Sequence, residues 1–175
     1  ADPLAAPPLL ADDDRAAPLT RRGDRLWISR NYQQEARLAA MLRERLHAAD
    51  TPAEPVPADG LRAEQQNAVR LARSRRLALI NGGPGTGKTY TLAQLVKALR
   101  AETPELLIGL CAPTGKAAQR VGESLLREAV AIDNPQTIHR LLHFQGGEAL
   151  HDEHNPLPHD LLIVDEASML SSALA

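Results

Sequence analysis

Residues 80–91 read INGGPGTGKTYT, and the fold turns on what those positions are for. Gly82, Gly87, Lys88 and Thr89 satisfy the spacing G-x-x-x-x-G-K-[ST], with Gly83, Pro84, Gly85 and Thr86 filling the interval. Glycines let consecutive backbone N–H groups turn inward around phosphate oxygens, and a helix that follows aims its positive end at the same point. In that setting Lys88 contacts the β- and γ-phosphates of ATP, and the Thr89 hydroxyl ligates Mg²⁺. The motif needs a strand before it and a helix after it. RLALI (76–80) has the composition of a buried strand, and Thr89 to Arg100 puts Leu92, Leu95, Val96 and Leu99 on one helical face. A glycine turn with an incidental lysine would ask for neither.

Downstream, LLIGLCA (106–112) reads as the next strand, 115–130 as a helix and LLIV (161–164) as a third strand. Upstream, LRAEQQNAVRLAR (61–73) reads as helix. Such alternation predicts an α/β fold with parallel strands joined by helical crossovers. The third strand ends in Asp165 and Glu166. An apolar strand ending in an acid delivers a carboxylate to the phosphate loop, where Asp165 can hold Mg²⁺ through water. Glu166 is then placed to polarise an attacking water, which a hydrolase needs and a small-molecule kinase does not. The plain alternative is a strand ending in a solvated acid pair.

TPAEPVPADG (51–60) carries three prolines and marks a linker. Before it, RNYQQEARLAAMLRERL spaces Leu38, Met41, Leu42 and Leu46 at helical steps, RLWIS can form a short strand, and residues 1–24 read as a loop. Residues 1–60 hold 8 cationic against 10 acidic side chains and residues 61–175 hold 12 of each, so bulk charge advertises no polyanion partner. Aromatics make up 2% of the chain, too few for a base-stacking platform. Cys111 is the one cysteine, which excludes a disulfide framework, and no apolar stretch reaches membrane-span length. These features fit a cytoplasmic protein.

GGPGTGKT, CAPTGKAAQRV, TIHRLL and IVDEASM, in that order, resemble the motifs of superfamily 1 DNA helicases, and more narrowly the RecD type, the alpha chains of exodeoxyribonuclease V. The resemblance covers residues 61–175; GDRLWISRNYQQEARLA extends it more weakly toward the N-terminus. It implies a RecA-like P-loop NTPase sheet with flanking helices, here the first motor domain (61–175), preceded by the end of a small partner-docking domain (1–50) and the linker (51–60). It implies that Gln65 reads the adenine edge, that Pro113, Thr114, Gly115 and Lys116 touch the backbone of single-stranded DNA, and that Thr137 and His139 add a further strand contact. Thr114 and Lys116, a hydroxyl and a cation beside a helix start, suit phosphate chemically. Implied partners are single- and double-stranded DNA and RecB- and RecC-type subunits. The implied activity is ATP-dependent 5′-to-3′ translocation during double-strand break repair and recombination.

The family motor also uses a second RecA-like domain that supplies an arginine, and a strand between those of the phosphate loop and the DEAS motif. Neither is expected within residues 61–175, so the chain is expected to be part of a longer subunit and inactive alone. Competing readings are a stand-alone RecD-like helicase, a scaffold subunit that keeps the fold without turnover, and a small-molecule kinase. Other features have bland explanations. His139 and His143 are four apart on an expected helix, but HRLLH lacks the glutamate of the zinc-protease pattern. The cations of RLARSRR (70–76) suit a helix C-terminus. Cys111 reads as a small core residue.

Overall fold

The computed structural model describes residues 10–11, 17–47, 60–83, 85–146, 149–152 and 154–171. Two compact units divide after His47. Most of the linker, residues 51–59, lies outside the described residues.

In the first unit, β1 (Leu10–Ala11) runs parallel to β2 (Leu19–Arg22), which pairs antiparallel with β3 (Arg25–Ile28). Residues 19–22 are therefore strand, not the loop expected of residues 1–24. Gly23 and Asp24 form a two-residue connection between paired Arg22 and Arg25, and Gly23 adopts φ 61°, which a glycine enters without strain. Helix α1 (Ser29–His47) leaves β3 directly. Its start is fixed by the buried Thr20–Ser29 hydroxyl pair at 2.7 Å and by Ser29 N–H donating to Pro18 O at 2.9 Å. Tyr32 packs edge-on to Trp27 with ring centroids 5.5 Å apart, and its hydroxyl accepts from Arg22 Nε at 3.1 Å.

The second unit contains α2 (Ala63–Ser74), α3 (Lys88–Glu102), β4 (Ile108–Ala112), α4 (Gly115–Arg127), β5 (Gln136–Thr137), α5 (Ile138–Leu141) and β6 (Leu161–Val164), followed by a 3₁₀ turn at Ala167–Met169. The sheet order is β5-β4-β6, all parallel, with Ile108 opposite Leu161 and Cys111 opposite Val164. All five residues of β4 are buried, as befits a central strand covered on both faces. Alternation along β4 sends Ile108 and Leu110 into a cluster with Ala93 and Val96 of α3, Leu125 of α4 and Ile163 of β6. Cys111 faces the other way, against Ile138 and Leu141 of α5. Helix α2 covers α3 through Val69, Leu61 and Leu95. Arg73, its side chain 4% exposed, pairs with Glu102 between the C-terminal ends of these two helices, so one cation of the basic run has a structural partner.

Two further expectations are corrected. Residues 77–80 form no strand, and Leu79 is 83% exposed. A strand needs a hydrogen-bonding neighbour, and among the described residues none lies beyond β6 to pair with this segment. The helix expected to carry both His139 and His143 stops at Leu141, and His143 adopts φ 50°, so the two rings do not share a helical face. The His143 ring instead meets that of His151, centroids 5.5 Å apart.

Candidate nucleotide-binding site

Gly85 (φ 74°) and Gly87 (φ 81°) take left-handed backbone conformations, and Gly87 is the last residue before α3 begins. The first turn of α3 closes back on that glycine: Thr91 N–H and Thr91 Oγ1 both donate to Gly87 O, at 2.9 and 3.0 Å. The helix thus opens with its free N–H groups at Lys88 and Thr89, where the dipole favours an anion. Thr86 Oγ1 donates to Gly83 O at 2.9 Å and folds the loop on itself. A Cβ on Gly82 would sit 2.6 Å from that hydroxyl, and one on Gly87 would sit 2.7 Å from Gln65 Nε2. A side chain at either position would displace one of these two groups, and at Gly85 and Gly87 the left-handed backbone itself favours glycine. Pro84 lies outside the described residues.

Lys88 reaches back over the loop, its Nζ donating to Gly82 O at 2.5 Å and Gly83 O at 3.0 Å. The ammonium is exposed and retains a third donor. A fixed cation beside a helix N-terminus can bind a polyphosphate. Gln65 stands next to the loop. Its Oε1 accepts from Arg62 N–H at 3.0 Å, half of a capping box, and its Nε2 donates to Thr86 O at 3.3 Å. One amide proton and one lone pair remain, enough to read a base edge. Arg62, given no role from sequence, donates from Nη2 to the same Thr86 O at 2.5 Å. Its only signal was a cation at the helix start, where capping residues usually carry an acceptor.

Strand β6 delivers the acids. Asp165 N–H donates to Cys111 O at 3.0 Å, so the ladder runs one residue past the strand and fixes the base of a half-buried carboxylate. Glu166 adopts φ 51°, ψ 38°, a left-handed conformation that costs a non-glycine residue about 1 kcal/mol. Met169 N–H donating to Glu166 O at 3.0 Å closes the turn that holds it. Ile163 shares a core with Ala93 and Val96, so the acid-bearing strand and the loop-bearing helix are pinned by the same packing. Among the described residues no hydrogen bond or ion pair joins Asp165 or Glu166 to Lys88 or Thr89. The Thr89 hydroxyl and the Asp165 carboxylate are hard oxygen donors of the kind Mg²⁺ takes while keeping several waters.

The remaining candidates gather at the C-terminal ends of β4 and β5. Thr114 caps α4, accepting from Ala117 N–H at 3.2 Å, and Thr137 caps α5, accepting from Arg140 N–H at 3.2 Å. Ala112 pairs with Thr137 across the sheet, which sets the turn Pro113–Gly115 beside Thr137; a Cβ on Gly115 would lie 3.9 Å from Thr137 Cγ2. Thr114, Gly115, Lys116 and His139 are exposed, and the His139 ring packs edge-on to Phe144 at 5.5 Å. Two motifs distant in sequence thus form one surface.

A phosphate loop opening helix α3, packed on a parallel sheet with an acid pair and capped turns at its C-terminal strand ends, defines a P-loop nucleotide-binding protein of RecA-like fold. The chain belongs to the AAA domain family, which matches residues 65–175. Within it the likeness is to RecD-type helicases. The chain is 37% identical over 179 residues to the ATP-dependent RecD2 DNA helicase of Deinococcus radiodurans, covering 94% of this chain and 24% of that protein. It is 39% identical over 202 residues to the RecBCD enzyme subunit RecD of Mycobacterium tuberculosis, covering 98% and 33%. With the subunit of that name from Haemophilus influenzae it shares 39% identity, covering 61% and 19%. The chain thus spans a quarter to a third of the length of the first two relatives.

Proposed function

We propose that this chain carries the ATP-binding part of a 5′-to-3′ DNA helicase subunit acting in an exodeoxyribonuclease V complex, in double-strand break repair and recombination. The carrying observation is Lys88 anchored to Gly82 and Gly83 at the start of α3. ATP enters with its phosphates on the loop from Gly82 to Thr89. Gln65 reads the adenine, Thr89 and Asp165 hold Mg²⁺, and Glu166 orients the attacking water. A Mg²⁺ held by Thr89 and Asp165 would supply neutralisation of the charge developing on the phosphates. Thr114, Lys116, Thr137 and His139 contact the DNA backbone, a reading supported by the exposure of Thr114, Lys116 and His139 beside the half-buried Thr137.

Residues 61–175 are assigned to the first motor domain, 51–60 to a linker, and 1–50 to the end of a domain that docks RecB- and RecC-type subunits. Among the described residues no helix is long and apolar enough to cross a membrane. The proposed location is the cytoplasm.

Titration with a fluorescent ATP analogue and Mg²⁺ tests the nucleotide reading. Saturable binding that Lys88→Ala removes supports it; binding indifferent to Lys88 overturns it. A second reading is a helicase working without those partners; the Deinococcus relative is named a DNA helicase and not a subunit of a complex. DNA-stimulated hydrolysis that appears only after mixing with RecB- and RecC-type subunits selects the complex. Hydrolysis undiminished without them selects the stand-alone motor.

A further inference from the structure

Arg62 and Gln65 come from the first turn of α2 and converge on one acceptor, the carbonyl oxygen of Thr86. That carbonyl belongs to the peptide joining Thr86 to Gly87, the last link before α3. In a trans peptide the C=O and the following N–H point in opposite directions. No cis peptide occurs among the described residues, so holding Thr86 O toward α2 turns the Gly87 N–H away from α2. We propose that Arg62 is a positioning residue for the phosphate loop: by clamping Thr86 O beside Gln65, it aims the Gly87 N–H at the phosphate of a bound nucleotide. This rests on the nucleotide reading above.

The chemistry favours such a clamp. Gly87 has no Cβ and sits at φ 81°, so its own sterics do little to fix the orientation of the peptide before it. Two donors on one carbonyl use both lone pairs and fix the peptide plane from outside the loop. A guanidinium is suited to this, because a charged donor makes a stronger bond to a carbonyl than the neutral amide beside it. A Cβ at position 87 would lie 2.7 Å from Gln65 Nε2, so a side chain there would displace the Gln65 half of the clamp, besides straining a backbone at φ 81°. Arg62 is exposed and contributes to no apolar cluster, so its replacement leaves the core intact.

The test is Mg²⁺–ADP affinity, read with a fluorescent ADP analogue, for the unmodified chain, Lys88→Ala, Arg62→Ala, Arg62→Gln and Arg62→Lys, with thermal midpoints measured alongside. Arg62→Ala is expected to weaken binding about tenfold, the scale of one hydrogen bond to a charged group, with its midpoint little moved. Arg62→Gln keeps a donor without the charge and is expected to recover most of the loss. If Arg62→Ala binds like the unmodified chain while Lys88→Ala does not bind, the clamp is wrong and the nucleotide site stands. If Arg62→Lys restores binding and Arg62→Gln does not, the cation acts on the phosphate directly and the positioning role is overturned. If Lys88→Ala changes nothing, the nucleotide reading itself fails.

Discussion

The ammonium of Lys88 donates to the carbonyl of Gly82, six residues back, at 2.5 Å. One side chain therefore both ties the loop closed and places a charge above it. Lys88→Ala should remove both effects, lowering nucleotide affinity by about a hundredfold or more, enough to abolish saturable binding in the titration. Lys88→Met, which keeps the stem but no donor, should do the same. A nucleotide titration of the three proteins checks this, and an unaltered affinity in either variant would be incompatible with the site.

Thr114 is asked to do two jobs that can be separated. Its hydroxyl caps α4, so Thr114→Ala should cost about 1 kcal/mol of stability by urea unfolding. Thr114→Asp retains a capping oxygen but sets a negative charge at the proposed DNA surface. It should unfold like the parent while binding a single-stranded oligonucleotide more weakly, with the deficit shrinking as salt rises.

Gly122, inside α4, faces Pro135: an added Cβ would sit 2.7 Å from Pro135 Cγ. Alanine would gain about 1 kcal/mol of helix propensity, but the rigid ring cannot swing aside, and overpacking costs about 1–3 kcal/mol. Gly122→Ala is expected to be net destabilising. Adding Pro135→Ala should recover the loss, a coupling that a double-mutant cycle reads directly.

Burial pushes the Cys111 thiol from an ordinary 9.0 up to about 11. Between those values the unfolded chain has released a proton that the folded chain keeps, so stability falls as pH rises. The contribution is intact below pH 9 and lost through pH 11, up to about 2–3 kcal/mol. Cys111→Ala should flatten that stretch of the stability profile. In the folded protein at pH 8 the thiol should resist a disulfide reagent until denaturant is added.

Helix α3, strand β6 and the loop between Gly82 and Thr89 were legible because their signals are local: glycine and lysine at fixed spacing, a helical apolar stripe, and four apolar residues ending in an acid. Strand β3 was legible in RLWIS, but its partner β2 was not, although Gly23–Asp24 is a two-residue turn signal, because the composition of residues 1–24 masked it. Residues 77–80 look like a strand in text, yet pairing is a property of neighbours and not of a segment. Arg62 was invisible for a related reason. Nothing in LRAEQ says that its guanidinium meets a carbonyl 24 positions away.

The partly exposed segment 77–80 and the outer side of β6 share a consequence for anyone handling the protein. Leu79 at 83% and Leu162 at 42% exposure are apolar residues beside backbone that no described strand pairs. Bare edges of this kind recruit one another between molecules. The chain should therefore scatter light increasingly as it is concentrated, and strongest near its isoelectric point of about 6.3, where charge repulsion is least. Dilution and a buffer well above that pH are the conditions in which its own chemistry, and not its stickiness, will be what an assay measures.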